Sequence, residues 1–141
     1  MTMVDGIVTK DKLLKWGKVV NGLCVLCNAE MEPRDHMFFR CVYARRMLAD
    51  LHFGSLCRDS WVAIVAPGIH SCRRPIADRV DGLIWCIYCA GLWKERSRCV
   101  HGTSVRIAEE LVRETILDLN FVSRNNECLE EGLRVVGLDQ V

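Results

Sequence analysis

The segment Cys24–Cys41 reads CVLCNAEMEPRDHMFFRC and contains three cysteines and one histidine in the pattern C-x2-C-x8-H-x4-C. Structural zinc sites use sulfur and nitrogen donors of these types in tetrahedral sets of four. Two residues between Cys24 and Cys27 allow a tight turn that points both sulfurs at one ion. Asn28 tolerates the left-handed backbone that such a turn often needs. The pattern therefore predicts a single structural zinc ion with four ligands: Cys24, Cys27, His36 and Cys41.

The second half of this pattern also predicts local structure. His36 and Cys41 are five residues apart, so a regular α-helix would place them about 140° apart around its axis. We therefore expect a break between them, with Cys41 opening the next helix. Asp35 or Glu32 is expected to orient the imidazole of His36. Because protein ligands fill all four positions, the site is predicted to be structural and not hydrolytic.

The residues alone leave alternatives open. A second zinc site could use a later set of four residues: Cys86, Cys89, Cys99 and His101. The first two lie in an apolar helical run, where cysteine usually packs as a small hydrophobe. His52 or Cys57 could instead replace one of the four predicted ligands. No spacing selects a cysteine–histidine nucleophile pair, and the sequence contains no Gly-rich phosphate loop and no zinc deaminase signature, so we expect no catalysis.

Composition limits the class of protein. The 141 residues are half apolar and carry a net charge of +1, which fits one domain or a small core with an attached module. Nine cysteines without a recognisable secretory signal predict reduced thiols and an intracellular protein, in the nucleus or the cytoplasm. No apolar run is long enough to span a bilayer. We therefore expect no membrane partner and no small-molecule substrate.

Charge is distributed unevenly along the chain. Residues 9–58 contain nine Lys/Arg and five Asp/Glu, whereas residues 109–141 contain three Arg and eight Asp/Glu. Phe38 and Phe39 lie within the basic part, where they could stack on bases or pack around the zinc, and packing is the favoured interpretation. RNA or DNA is the expected partner, with a protein partner as the alternative. Five cations are the predicted phosphate contacts: Lys12, Lys15, Arg40, Arg45 and Arg46.

Hydrophobic periodicity predicts a mostly α fold, in which a zinc-stapled N-terminal module packs with about four helices. Helices are expected at 9–16, at 42–51 with Gly54 as its stop, at 76–98 after Pro75, and from a cap at Thr103 or Ser104 onwards. This organisation gives four segments: a zinc module at 8–52, a linker or irregular segment at 53–75, a helical region at 76–123 and an acidic tail at 124–141. The mixed-charge sequence Trp93–Arg96 is interpreted as a solvated helix end anchored by its tryptophan.

The flanks of the ligands resemble a known family at four places: TKDKL at 9–13, CVLC at 24–27, Glu32 four residues before His36, and HMFFRC at 36–41. These features resemble the zinc-binding domain of plant reverse transcriptases, which lies in the C-terminal region of LINE-type non-LTR retrotransposon polyproteins. The resemblance covers residues 8–52. It implies nucleic-acid contact and a non-catalytic role.

A second stretch extends the resemblance. WKER at 93–96 is similar to the Trp-Lys-Glu-Arg-Asn sequence that often follows in these plant proteins, although Ser97 replaces the asparagine. No Tyr-x-Asp-Asp-like polymerase run is present. The resemblance therefore implies a truncated, stand-alone copy of the domain.

Overall fold

The computed structural model describes residues 6–51, 76–135 and 137–138. The described elements, in chain order, are α1 (Lys10–Lys15), a π-helical turn (His36–Arg40), α2 (Val42–Asp50), α3 (Ile76–Val100), α4 (Ala108–Ser123) and α5 (Glu127–Val135). The predicted mostly helical fold with a cysteine–histidine cluster near the amino end is confirmed. The predictions for Gly54, Pro75, the 53–75 linker and the alternative ligands His52 and Cys57 lie outside the described residues.

The first three α-helices follow their predicted bounds closely. Thr9 is the N-cap of α1, and Gly17 ends this helix region with a φ of +66°. Cys41 is the N-cap of α2, as the ligand spacing predicted. α3 is the central helix of the fold, and it packs against both α4 and α5. None of the described helices is both long enough and apolar enough to cross a membrane.

The start of α4 differs from its prediction. Ile107, and not Thr103 or Ser104, is the N-cap, and its side chain makes no capping hydrogen bond. Arg98 donates to the carbonyl oxygen of Ser104 at 2.7 Å, and the backbone amide of Arg106 donates to Glu95 at 2.9 Å. These two bonds hold the preceding segment against the end of α3. Contacts with the end of α3 therefore override the local capping signal.

The acidic tail contains a helix that periodicity did not predict. α5 packs on α3 and α4, and Leu133 on its inner face is fully buried. Leu129 lies one helical turn earlier and is partly buried against the same core. After α5, Leu138 is also buried, and its carbonyl oxygen accepts a hydrogen bond from the Asn120 side chain at 3.2 Å. α3, α4 and α5 therefore form one helical body, to which Leu138 also belongs.

Gly132 allows α5 to approach α3 closely, and its replacement by alanine is expected to destabilise the protein. An added Cβ would lie 2.3 Å from Cγ2 of Val80, whose β-branched side chain has little freedom to move. We expect Gly132→Ala to lower the free energy of unfolding by about 1–3 kcal/mol through overpacking. Urea denaturation measures this change.

A matched glycine variant provides the control. Gly82→Ala, on α3, meets nothing within 4 Å and is expected to raise the free energy of unfolding by about 0.5–1 kcal/mol, since alanine favours helix. If both variants stabilise the protein, close packing at Gly132 is refuted.

The zinc module and the helical body share one core. Tyr88 on α3 is fully buried, and its hydroxyl donates to the carbonyl oxygen of Phe38 at 2.7 Å. Phe39 stacks on Trp85 with ring centroids 5.3 Å apart and an interplanar angle of 15°. Both phenylalanines are buried, which confirms packing as their role. Neither ring is available to stack on nucleic-acid bases.

Candidate metal centre

The first two ligands lie in a turn closed by backbone hydrogen bonds. The Asn28 amide donates to the carbonyl oxygen of Cys24 at 2.8 Å, and the Cys24 amide donates to that of Glu30 at 2.7 Å. An antiparallel bridge joins Leu23 to Met31 just outside this turn. Asn28 has a φ of +53°, so it adopts the left-handed conformation predicted for it.

The other two ligands lie at the ends of the π-helical turn. The Cys41 amide donates to the carbonyl oxygen of His36 at 2.7 Å, which is the five-residue bond that defines a π-helix. Cys41 then leaves helical geometry, with φ −56° and ψ 131°, before α2 begins. The predicted break is confirmed. The wider π turn brings the two side chains to the same side, which a regular α-helix would not do.

The four donor atoms fit a tetrahedral zinc site. The ligand atoms of Cys24, Cys27, His36 and Cys41 all lie within 4.8 Å of one another. The sulfurs of Cys24 and Cys41 are 3.9 Å apart, and the Cys27 sulfur lies 3.3 Å from Nε2 of His36. Tetrahedral zinc with ordinary bond lengths requires about 3.8 Å between two sulfurs and about 3.6 Å between sulfur and nitrogen. These residues therefore form a single zinc site.

Two of the ligand thiols, Cys24 and Cys41, are buried and contact each other. Cys24 and Cys41 are both fully buried. The hydrogen bond with Cys41, together with burial, raises the pKa of Cys24, and the same hydrogen bond lowers the pKa of Cys41. Cysteine ligates zinc as a thiolate, so zinc binding would release the protons that these sulfurs carry in the metal-free protein.

The second ring nitrogen of His36 lies near the carboxylate of Glu30, whose side chain is 70% exposed. Nε2 of His36 faces the Cys27 sulfur, while Nδ1 lies 3.3 Å from a carboxylate oxygen of Glu30. This separation is within ion-pair range, although the described residues give Nδ1 no aligned hydrogen bond. The prediction that Glu32 orients the ring is wrong, because its carboxylate is engaged elsewhere. Asp35, the other predicted residue, lies 3.7 Å from Arg34.

Glu32 connects the ligand turn to two helices. Its side chain is fully buried, and Oε1 accepts hydrogen bonds from the Lys10 amide at 3.0 Å and from Arg96 at 3.0 and 2.7 Å. Oε2 accepts a hydrogen bond from the backbone amide of Val25 at 3.4 Å. Val25 stands between Cys24 and Cys27. A single carboxylate therefore contacts the ligand turn, the start of α1 and the end of α3.

The WKER sequence is not the solvated helix end that was predicted. Glu95 is fully buried and accepts hydrogen bonds from Arg98, from the Arg106 side chain and from the Arg106 amide, at 2.6 to 3.1 Å. Burial alone would raise the pKa of Glu95, but these hydrogen bonds outweigh it and lower the pKa to about 2. Arg96 is also buried, and the central carbon of its guanidinium group lies 4.9 Å from the centre of the Trp93 ring.

A signal for these buried charges exists in the sequence. Tyr88, Leu92 and Arg96 follow one another at intervals of four, so Arg96 continues the buried stripe of α3. Glu95 lies seven residues after Tyr88, which also places it on that face.

The second set of cysteines does not form a metal site. Among the described residues, the N-terminal four are the single group of three or more potential ligands close enough to share an ion. Cys86 and His101 are exposed, whereas burial raises the pKa of Cys89. Cys99 contacts the carboxylate of Glu95 at 3.7 Å.

The predicted phosphate contacts differ in their surroundings. Lys12 donates to the carbonyl oxygen of Ile7, Lys15 lies 3.9 Å from Asp11, and Arg46 forms an ion pair with Glu109. Arg40 and Arg45 are exposed, and the described part of the chain gives them no ion-pair partner. The other three side chains are thus partly committed to contacts within the protein. A role for any of the five in binding phosphate stays a prediction.

Comparison with known proteins agrees with the site. No curated protein and no solved structure matches the chain. Residues 1–47, one third of the 141 residues, match a protein family described as zinc-binding in reverse transcriptase. This match contains all four ligands, and it confirms the predicted resemblance of this segment to the zinc-binding domain of reverse transcriptases.

Proposed function

We propose that this chain is a non-catalytic zinc module that binds nucleic acid. The observation that carries the proposal is the exposure of Arg40 and Arg45 on either side of the buried ligand Cys41. Zinc binding at Cys41 would hold the end of the π turn and the start of α2 in place. The two guanidinium groups would then extend from a fixed backbone, which suits them to contact successive phosphates.

The family match supports the same proposal. A zinc-binding domain of reverse transcriptase belongs to a class of enzyme that copies nucleic acid. The resemblance of residues 9–13, 36–41 and 93–96 to plant LINE-type proteins further suggests an origin in a retrotransposon. The absence of catalysis is proposed from the ligand set, because four protein ligands leave no coordination position for a reacting water.

Replacing both exposed arginines by glutamate is expected to weaken nucleic-acid binding. Arg40→Glu/Arg45→Glu removes two cations, so affinity for a fluorescein-labelled RNA or DNA strand should fall at least about tenfold at moderate salt. The slope of log affinity against log salt should decrease by about 2, one unit for each lost phosphate contact. Fluorescence anisotropy across a salt series measures both quantities.

The control reverses a charge elsewhere on the surface. Arg113 is exposed on α4, and Arg113→Glu should leave the affinity within about twofold. Equal losses in the two variants would indicate only a net-charge effect. Unchanged binding by the double variant would overturn the proposed surface.

A protein partner is the second candidate, favoured by an apolar groove next to the metal site. The groove has a volume of about 430 Å³, and Val42 and Ile107, which line it, have 74% and 61% of their surface exposed. Association through such a groove would depend little on salt, whereas phosphate binding weakens steeply. The salt series therefore also distinguishes the two candidates.

A further inference from the structure

The contacts of Glu32 carry an inference that goes beyond the proposed function. This carboxylate is 0% exposed, and it accepts hydrogen bonds from backbone amides of α1 and of the ligand turn and from the Arg96 side chain. Glu32 and Arg96 are 64 residues apart in sequence, and Arg96 lies beyond residues 1–47. The arginine belongs to the helical body, and the glutamate belongs to the zinc module.

We propose that Glu32 and Arg96 are positioning residues for the zinc ligands, so that the metal-binding unit includes the end of α3. Glu32 fixes the ligand turn on both sides. Its own amide donates to the carbonyl oxygen of Gly22 at 3.0 Å, and its carboxylate holds the amide of Val25 between the first two cysteines. Through these bonds the turn is shaped before the ion arrives, and a preorganised site binds its ligand more tightly.

Arg96 is needed because Glu32 is buried. An ionised carboxylate in the protein interior is stable only when it is paired and hydrogen-bonded. Arg96 supplies two of the donors, and its own side chain is 6% exposed. The ring of Trp93 lies 4.9 Å from the guanidinium and restricts its position. Without the arginine, Glu32 would be left with backbone donors alone and would move towards water, taking the ligand turn with it.

The coupling is reciprocal. If an ordered α3 end favours zinc binding, zinc binding must favour the ordered α3 end by the same free energy. Addition of zinc should therefore slow amide hydrogen exchange at Glu95, Arg96 and their neighbours, although none of them ligates the ion. This effect would reach far beyond the ligand loop.

The test measures zinc affinity in the full-length chain by competition with a chelator, under conditions in which circular dichroism shows each variant to be folded. Glu32→Gln and Arg96→Gln should each bind zinc about 10–100-fold more weakly, the range found for residues that support metal ligands. The absorption spectrum of bound Co²⁺ should keep the tetrahedral pattern of three sulfurs and one nitrogen. The double variant should bind zinc no more weakly than whichever single variant binds it more weakly, because the two residues act as one unit.

Two controls separate positioning from general destabilisation. Glu109→Gln removes the partner of Arg46, an exposed ion pair that also joins α2 to the helical body, and should leave zinc affinity within about twofold. Gly132→Ala lowers overall stability far from the site and should likewise leave zinc affinity unchanged. Wild-type affinity in both Glu32→Gln and Arg96→Gln would overturn the inference. Because nucleic acid is absent from this experiment, its result is independent of the proposed function.

Discussion

Serine at position 27 is expected to remove zinc from the protein and to unfold the segment from Gly22 to Cys41. Wild-type chains should contain about one zinc each. Zinc binding at structural sites contributes roughly 10–16 kcal/mol, which is more than a short loop can obtain from its own burial. The Cys27→Ser hydroxyl is a poor zinc ligand, so this contribution is largely lost. Elemental analysis of the purified proteins gives the zinc content directly.

Hydrogen exchange gives the structural consequence of the same change. The amides of Cys24, Asn28 and Cys41 are bonded within the site and should lose protection in Cys27→Ser. Cys86→Ser is the matched control, because this cysteine is exposed on α3 and does not belong to the ligand group. Cys86→Ser should retain about one zinc per chain, and these amides should remain fully protected from hydrogen exchange. A Cys27→Ser protein that still holds one tightly bound zinc would show that the ion binds elsewhere.

Glu95→Gln is the second change for which we expect a large effect. Its carboxylate is 0% exposed and accepts hydrogen bonds from two arginines. Glutamine keeps the shape but loses the charge, so Arg98 and Arg106 lose their anionic partner at the junction of α3 and α4. We expect the free energy of unfolding at pH 7 to fall by about 3 kcal/mol, the usual cost of breaking a buried ion pair. Urea denaturation measures this difference.

The pH dependence of that difference follows from the lowered pKa. The pKa of Glu95 is about 2 in the folded protein and 4.5 ordinarily. A group with a lowered folded pKa stabilises the protein fully above its unfolded value and loses this effect as the pH falls towards the folded value. The difference in the free energy of unfolding between wild type and Glu95→Gln should thus be constant above about pH 5 and should decrease as the pH falls towards 2.

An exposed acidic residue provides the comparison. Glu131 pairs with Arg134 on the surface of α5, where both side chains are 63% exposed. Glu131→Gln should change the free energy of unfolding by less than about 0.5 kcal/mol at any of these pH values. If the difference in the free energy of unfolding between wild type and Glu95→Gln stayed unchanged down to pH 2, the arginine contacts would not be what stabilises the ionised form of Glu95.

Sequence patterns predicted the parts of this protein that depend on neighbours in the chain. The spacing of Cys24, Cys27, His36 and Cys41 identified the metal site, because four donors within eighteen residues must meet in a small loop. The helices at the amino end and in the middle followed from their caps and periodicity. Even the left-handed Asn28 was predictable, since its conformational tolerance belongs to the residue itself.

Tertiary structure decided which charged residues are buried and where they bond. Glu32 was one of two residues expected beside His36, with Asp35, but it pairs with Arg96. Glu95 was expected in solvent but joins α3 to α4. The α4 cap moved to Ile107 for the same reason, since the preceding segment is bonded to the end of α3. A buried charge is stable only beside a partner, and that partner can stand anywhere in the chain. The sequence by itself therefore determined the ligands and most of the helices, whereas only the folded chain determined what holds them together.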